Sequence, residues 1–261
     1  RFGWGAVKHI PDVLLSYPEK FPSDVESCLV ALVESQMRKG IESEIVPVTS
    51  QSWNIRYPLS TTPTITVAIL SQGQRDYLPR CFDSIIGKTD YPHLEIIIAL
   101  TYADDDPDLN DWLGTIKQRP SPKIHIVRTS LTANHAARCN AAVQASSNDF
   151  VLLLREEAVI IQEKWLEELI RTCQQPDIAA TAPCLIAPGT SQIQEAGSVL
   201  GLKGLVGSPY QGEAKVGDPG YLNILRIARD TSSLAGACLL IRTADYLAVG
   251  GMDETDLGDH L

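Results

Sequence analysis

Three consecutive residues, Arg155, Glu156 and Glu157, have the chemistry to hold a phosphorylated ligand. A carboxylate there can help bind magnesium or manganese, because such ions often take only one or two protein carboxylates and complete their shell with phosphate oxygens. The guanidinium can instead grip a diphosphate through two parallel hydrogen bonds. A plainer arrangement is an ion pair between Arg155 and one of the two glutamates on a solvated rim. A second polar group, Ser71-Gln72-Gly73-Gln74, has a glycine that either admits a ligand close to the backbone or simply makes a turn. Asp104, Asp105 and Asp106 stand before Pro107, where the simplest role is a turn that caps a helix. Arg138 completes the candidates in the middle of the chain, and Asp253, Asp259 and His260 complete them near its end.

These groups sit at the ends of recognisable elements. Ile65-Thr-Val-Ala-Ile-Leu70 reads as a buried strand, and Tyr77, Leu78, Cys81, Phe82, Ile85 and Ile86 share one face of a following helix. Leu94-Glu-Ile-Ile-Ile-Ala-Leu100 is a second strand, followed by a helix from Pro107 with Leu109, Trp112, Leu113 and Ile116 inward. Lys123-Ile-His-Ile-Val127 is a third strand, followed by a helix carrying Ala136, Ala137 and Ala141. Phe150-Val-Leu-Leu-Leu154 is the fourth, before the helix of Trp165, Leu166, Leu169, Ile170 and Cys173. Strand and helix alternating four times predict a mostly parallel α/β sheet with helices on both faces and right-handed crossovers. Such a sheet binds ligands at the carboxyl ends of its strands, so the turns at 71–74, 100–106, 131–135 and 155–158 should converge on one crevice.

The flanks differ in pattern. Ser23-Asp-Val-Glu26 is a capping box opening a helix, with Gly40 as its stop. A strand-like stretch, Trp53-Asn-Ile-Arg-Tyr57, follows, and residues 58–63 read as a linker. The expected division is therefore 1–60, a small helical and extended segment, and 61–261, the α/β domain. Residues 201–220 read as a mobile loop, and Ser233-Leu-Ala-Gly-Ala-Cys-Leu-Leu-Ile241 as a further strand. The chain opens at Arg1 without methionine, so a fragment of a longer protein is expected.

The formal net charge of −10 argues against non-specific nucleic-acid binding, which needs a basic surface. The six cysteines form no Cys-x-x-Cys pair, which predicts buried free thiols, a reducing compartment and no zinc site. No apolar run is long enough to span a bilayer. The expected location is cytoplasmic, with any membrane association arising through partners.

Tyr91-Pro-His-Leu-Glu-Ile-Ile-Ile98, Trp165-Leu-Glu-Glu-Leu169, Gln194-Glu-Ala-Gly197, Gly236-Ala-Cys-Leu-Leu-Ile-Arg242 and Gly250-Gly-Met-Asp-Glu254, in that order, resemble the family 2 glycosyltransferases of the GT-A fold, in their bacterial surface-polysaccharide form. The resemblance runs from about residue 65 to the end, and residues 4–18 look like the tail of a preceding domain of such a protein. It implies a Rossmann-like GT-A sheet and an inverting transfer of sugar from a nucleotide diphosphate to a hydroxyl of a glycan or lipid-linked acceptor. It also implies a bound magnesium or manganese ion. On the matching positions it assigns donor binding to Ser71, Gly73, Leu100, Arg138, Arg155, Glu156 and Gly236, and metal binding to Glu157. The catalytic base falls just past the end, or at Asp259 under a shifted alignment, while Asp253 orients a local turn.

The chain departs from the family pattern in two places of one crevice. Arg155 stands at the first acidic position of the metal motif, and Leu100 where the family has a base-binding aspartate. Two readings follow: an active transferase with weak or absent metal dependence, or a degenerate transferase-like module in a larger protein. A dinucleotide-dependent oxidoreductase ranks lower because no Gly-x-Gly-x-x-Gly follows the first strand. Hydrolysis by Glu156 and Glu157 ranks lower too, because adjacent residues rarely flank one scissile bond.

Overall fold

A computed structural model describes residues 25–50, 52–102, 106–202 and 204–256. The chain divides by internal contacts into two units, residues 1–41 and 42–261. In the first, helix α1 (Val25–Lys39) ends where Gly40 turns into the left-handed region at φ +66°. Its carbonyls at Met37 and Gln36 are taken by the Gly40 and Ile41 amides. Ser23 of the expected capping box lies outside the described residues.

The second unit opens with a hairpin, β1 (Glu44–Thr49) and β2 (Ser52–Arg56), paired antiparallel. The β2 stretch was expected; β1, half exposed and carrying Pro47, was not. Arg56 pairs with Glu168 at 2.7 Å, and Asn54 accepts from the Ala228 amide. These contacts put residues 42–57 with the larger unit, so the division falls earlier than the linker at 58–63 suggests.

The body alternates as its apolar runs require: β3 (Ile65–Ser71), α2 (Leu78–Lys88), β4 (Leu94–Leu100), α3 (Pro107–Lys117), β5 (Lys123–Arg128), α4 (His135–Ala145), β6 (Phe150–Arg155) and α5 (Trp165–Cys173). Short strands β7 (Ala180–Thr181), β8 (Leu185–Ile186), β9 (Ile193–Glu195), β10 (Val199–Leu200) and β11 (Val206–Gly207) follow, then β12 (Cys238–Arg242) and α6 (Thr243–Ala248). The six-stranded sheet runs β5-β4-β3-β6-β12-β7. Its first four strands are mutually parallel, whereas β12 is antiparallel to both neighbours. This is the mostly parallel α/β sheet that the sequence predicts.

Every residue of β3 is buried, as a central strand covered on both faces must be. Alternation divides the core in two. Ile65, Val67, Ile69, Ile96, Ile98, Leu100, Leu152 and Leu154 pack with α2, α3 and α5 on one face. Ala68, Leu70, Ile97, Ala99, Val151, Leu153 and Leu239 pack with α4 and α6 on the other.

Two expectations are corrected. The strand expected from Ser233 begins only at Cys238, because Gly236 and Ala237 turn before it. The stretch expected as a loop at 201–220 contains the return strand of the β10–β11 hairpin, and its Ala214 is buried and accepts from the Ile193 amide. No helix among the described residues is long and apolar enough to cross a membrane.

Candidate functional site

Parallel pairing brings the carboxyl ends of β3, β4, β5 and β6 to one edge, at Ser71, Leu100, Arg128 and Arg155. The antiparallel β12 begins at the same edge, since Cys238 lies opposite Leu154. The backbone of the 155–157 turn is therefore held from both sides. The Arg155 amide donates to the Ala237 carbonyl at 3.0 Å, one residue beyond Gly236, and the Glu156 amide donates to Leu70 at 3.2 Å.

The two glutamates have unlike surroundings. Glu156 is 2% exposed. Its Oε2 accepts from Ser71 Oγ at 2.6 Å and from the Gln74 amide at 3.3 Å, while Oε1 accepts from the Gln72 amide at 2.7 Å. Ser71 Oγ in turn accepts from the Gly73 amide at 2.9 Å. Burial pushes the Glu156 carboxyl above its ordinary range, and the hydrogen bonds from Ser71, Gln72 and Gln74 only partly oppose it. The side chains of Glu156 and Ser71 are thus engaged with each other and with the loop backbone. The expected donor contact at these two residues is corrected to a positioning role: they fasten loop 71–74 to the end of β6.

Glu157 faces Arg155 instead. Arg155 Nε and Nη2 donate to its two oxygens at 3.2 and 3.0 Å, with roughly half of each side chain open to solvent. Burial alone would raise the Glu157 carboxyl, but the Arg155 hydrogen bond, its own amide and the charges of Arg155 and Arg138 outweigh it and hold it below the ordinary value. Arg138 is close enough to contribute to that balance, yet it is only 7% exposed. Its Nη1 donates to the Ala133 carbonyl at 2.9 Å, and its buried Nε has no hydrogen-bond partner among the described residues. An orphaned guanidinium N–H in a buried place is costly unless something else accepts from it.

Leu100 is corrected outright. It is fully buried and packs in the core with Ile96 and Ile98, so it presents no side chain to a ligand. Its carbonyl accepts from the Thr129 amide. The residue that stands over this part of the edge is Tyr102, which sequence reasoning passed over. Its hydroxyl donates to the Asp106 carbonyl at 2.8 Å and accepts from the Asp106 amide at 2.6 Å, and Arg128 lies 6.0 Å from its ring centre. Gly73, at φ +77°, passes so near this ring that a Cβ would come within 2.9 Å of it, which explains the glycine. Asp106 caps α3 by accepting from the Leu109 amide at 3.1 Å, as expected, and also pairs with Arg75 of the β3 loop. Asp104 and Asp105 lie outside the described residues.

Asn140 on α4 was also missed. Its side chain accepts from the Met252 amide at 3.0 Å and from the Tyr246 hydroxyl, and donates to the Met252 carbonyl at 2.9 Å and to Glu254 at 2.7 Å. A Cβ on Gly251 would come within 2.6 Å of it, so the Gly-Gly pair lets the chain lie against α4. An asparagine inside an alanine-rich helix, where its propensity is poor, was the available signal. Asp253 accepts from the Thr255 amide and hydroxyl, both at 2.8 Å, and from the Asp256 amide, and so organises the local turn as expected. Asp259 and His260 lie outside the described residues. Cys81, Cys139, Cys173 and Cys238 are buried free thiols, whereas Cys28 and Cys184 are exposed.

Neither glutamate of the 155–157 turn is free for a divalent cation as it stands. Among the described residues no three His, Cys, Asp or Glu side chains converge in a way that can hold a metal. Glu156 is committed to the β3 loop, and Glu157 would first have to leave Arg155.

A parallel sheet with its turns gathered at one edge, and an antiparallel strand inserted beside β6, is the frame of the GT-A fold. The sequence matches the family described as glycosyl transferase family 2 over residues 66–199, and the chain belongs to that family. Among curated relatives it is 26% identical over 86% of its length to the O-antigen biosynthesis protein RfbC of Myxococcus xanthus. It is 29% identical over 79% of its length to the uncharacterized protein y4gI of Sinorhizobium fredii. It spans 17% and 22% of those two proteins, respectively. Among solved structures, the mannosyltransferase PcManGT of Pyrobaculum calidifontis, in complex with GDP-mannose and Mn2+, superposes with a TM-score of 0.56 at 15% identity, over 90% of this chain and 57% of that one. GalNAc-T7 with UDP, GalNAc and Mn2+ gives 0.55 at 12% identity, over 89% and 46%. At such identities these two likenesses establish the fold alone.

Proposed function

We propose that the domain transfers a sugar from a nucleotide-diphosphate donor to a hydroxyl of a glycan or lipid-linked acceptor in the building of a surface polysaccharide, with inversion at the anomeric carbon. One observation carries this reading: Arg138, Arg155 and Glu157 gather at the crevice edge beside a loop that Glu156 holds in place. Loop 71–74 and Gly73 would lie along the nucleotide, and Gly236, two residues before β12, would border the sugar. The acceptor oxygen attacks the anomeric carbon as the bond to the diphosphate oxygen breaks. Negative charge then grows on the leaving diphosphate, where fixed positive groups are most effective.

A magnesium or manganese ion in this crevice would find Glu157 as the accessible carboxylate of the 155–157 turn, and would compete with Arg155 for it. The Asp253 carboxylate is engaged in its turn, so the base that accepts the hydroxyl proton is assigned to Asp259 or to a carboxylate following it. The loop at 201–221 would shape the acceptor side, where outward Leu205 and Tyr221 would suit the lipid of a lipid-linked acceptor.

The second reading, a non-catalytic transferase-like module, is favoured by the burial of Leu100 and by Glu156 being committed to the loop. One experiment separates the two: incubate the full-length protein with UDP-, GDP- and dTDP-sugars and a polysaccharide or lipid-linked acceptor, and follow release of the nucleoside diphosphate. Acceptor-dependent release supports the transferase. Donor binding without release supports the module, and no binding of any donor overturns the donor-site assignment.

A further inference from the structure

The geometry points to an arginine pair, Arg138 and Arg155, taking the place of the divalent cation at the donor diphosphate, so that the diphosphate binds without metal. This rests on the donor-crevice assignment above and specifies how that crevice meets its charge.

Four observations support it. The residue at the first acidic position of the metal motif is a cation, and its guanidinium lies flat against both oxygens of Glu157. The next carboxylate, Glu156, is buried and accepts from three loop donors, which removes it from any coordination shell. The remaining carboxylate of the motif, Glu157, is held ionised by the two arginines. Arg138 is buried with an N–H that lacks an acceptor among the described residues, the state of a donor whose partner arrives with a ligand. Two guanidiniums carry the same charge as one divalent ion, and each can hold two phosphate oxygens in a fixed plane, which an ammonium cannot. Glu157 then orients the Arg155 guanidinium and spreads the charge of the pair, in place of ligating an ion.

The sequence of events is an exchange of partners. In the free protein Arg155 rests on Glu157. The incoming diphosphate competes for the guanidinium, and Arg138 Nε gains its missing acceptor. No bond to a metal forms or breaks. Arg155, half exposed, can swing between partners at little cost, because an exposed ion pair is worth only about 0–1 kcal/mol.

The test is calorimetric titration of the full-length protein with UDP, GDP and dTDP, in excess EDTA and again in millimolar MnCl2, with Mn2+ binding to the ligand-free protein followed separately by electron paramagnetic resonance. The expected result is that at least one nucleoside diphosphate binds with the same affinity, within about twofold, in both conditions, and that free Mn2+ keeps its solution signal. Arg155→Gln and Arg138→Gln should each weaken that binding about tenfold or more. Arg155→Gln lies on the open rim and keeps the fold, so it serves if Arg138→Gln is unstable. An affinity raised tenfold or more by MnCl2, or Mn2+ bound by the ligand-free protein, would overturn the arginine pair and leave the transferase reading standing. Unchanged affinity in Arg155→Gln would overturn it too. Failure of all three diphosphates to bind in either condition would overturn the donor-crevice assignment itself, and this inference with it.

Discussion

Replacing Glu156 with alanine should cost more stability than its place in a charged surface turn suggests. The substitution leaves three donors facing an emptied site: the Ser71 hydroxyl, which is fully buried, and the Gln72 and Gln74 amides, which are partly so. A buried donor left without an acceptor costs about 1–3 kcal/mol. Water can reach the two loop amides, which puts them at the low end. Relief from burying a charged carboxylate, seen in its raised pKa, offsets part of the total. The net expectation is a loss of about 2–4 kcal/mol in urea unfolding, with amide exchange accelerated at Gln72 and Gln74. The pH dependence gives a second readout. The folded-state carboxyl is raised above its unfolded value, so its titration contributes stability that is present below the unfolded value of 4.5 and is lost as pH rises through the folded value. Glutamine does not titrate, so the penalty of Glu156→Gln should be larger near pH 4 than near pH 8. An unfolding free energy for Glu156→Ala within about 0.5 kcal/mol of the parent, with unchanged exchange at both amides, would refute the pinning of the loop.

Gly73→Ala combines a left-handed backbone with a Cβ at 2.9 Å from the Tyr102 ring, and thermal unfolding should register a loss of about 1–3 kcal/mol. In a double-mutant cycle Tyr102→Ala should recover only the steric part of it. Asn140→Ala removes four contacts to the 246–254 segment and should cost about 2–4 kcal/mol in a denaturant titration, with protease sensitivity rising around Met252. Among the thiols, Cys28 and Cys184 should react with a maleimide at pH 7.5 in the folded protein, while Cys139 and Cys238, which burial pushes up to about 12, should stay unmodified until unfolding.

The sheet was legible because its strands are apolar on both faces: the runs at 65–70, 94–100 and 150–154 carry little else. The hairpin strand β1 was not, since half-exposed residues and Pro47 leave a pattern close to that of a loop. The burial of Leu100 could have been read directly. It shares parity with Ile96 and Ile98, and alternation sends all three to one core. The same alternation places Arg155 with Val151 and Leu153, toward the α4 face that carries Arg138. The division of labour between Glu156 and Glu157 was beyond reach, because nothing local distinguishes two adjacent glutamates. Their partners do: Ser71 lies 85 residues from Glu156, while Arg155 lies two from Glu157. Asn140 was hidden for the same reason, its partners lying 106 to 114 residues away.

The backbone of residues 155 and 156 is secured by Ala237 on one side and Leu70 on the other, through main-chain atoms only. Neither bond depends on which side chains these positions carry. At position 155, whose side chain holds no neighbouring loop, the turn therefore works as a socket into which different chemistry can be plugged without refitting the wall around it. A lineage can trade an acidic residue for arginine here in a single substitution and keep the fold, and an engineer can reverse the trade. Divergence at this motif is then a poor measure of decay, since the mount survives the exchange of the tool.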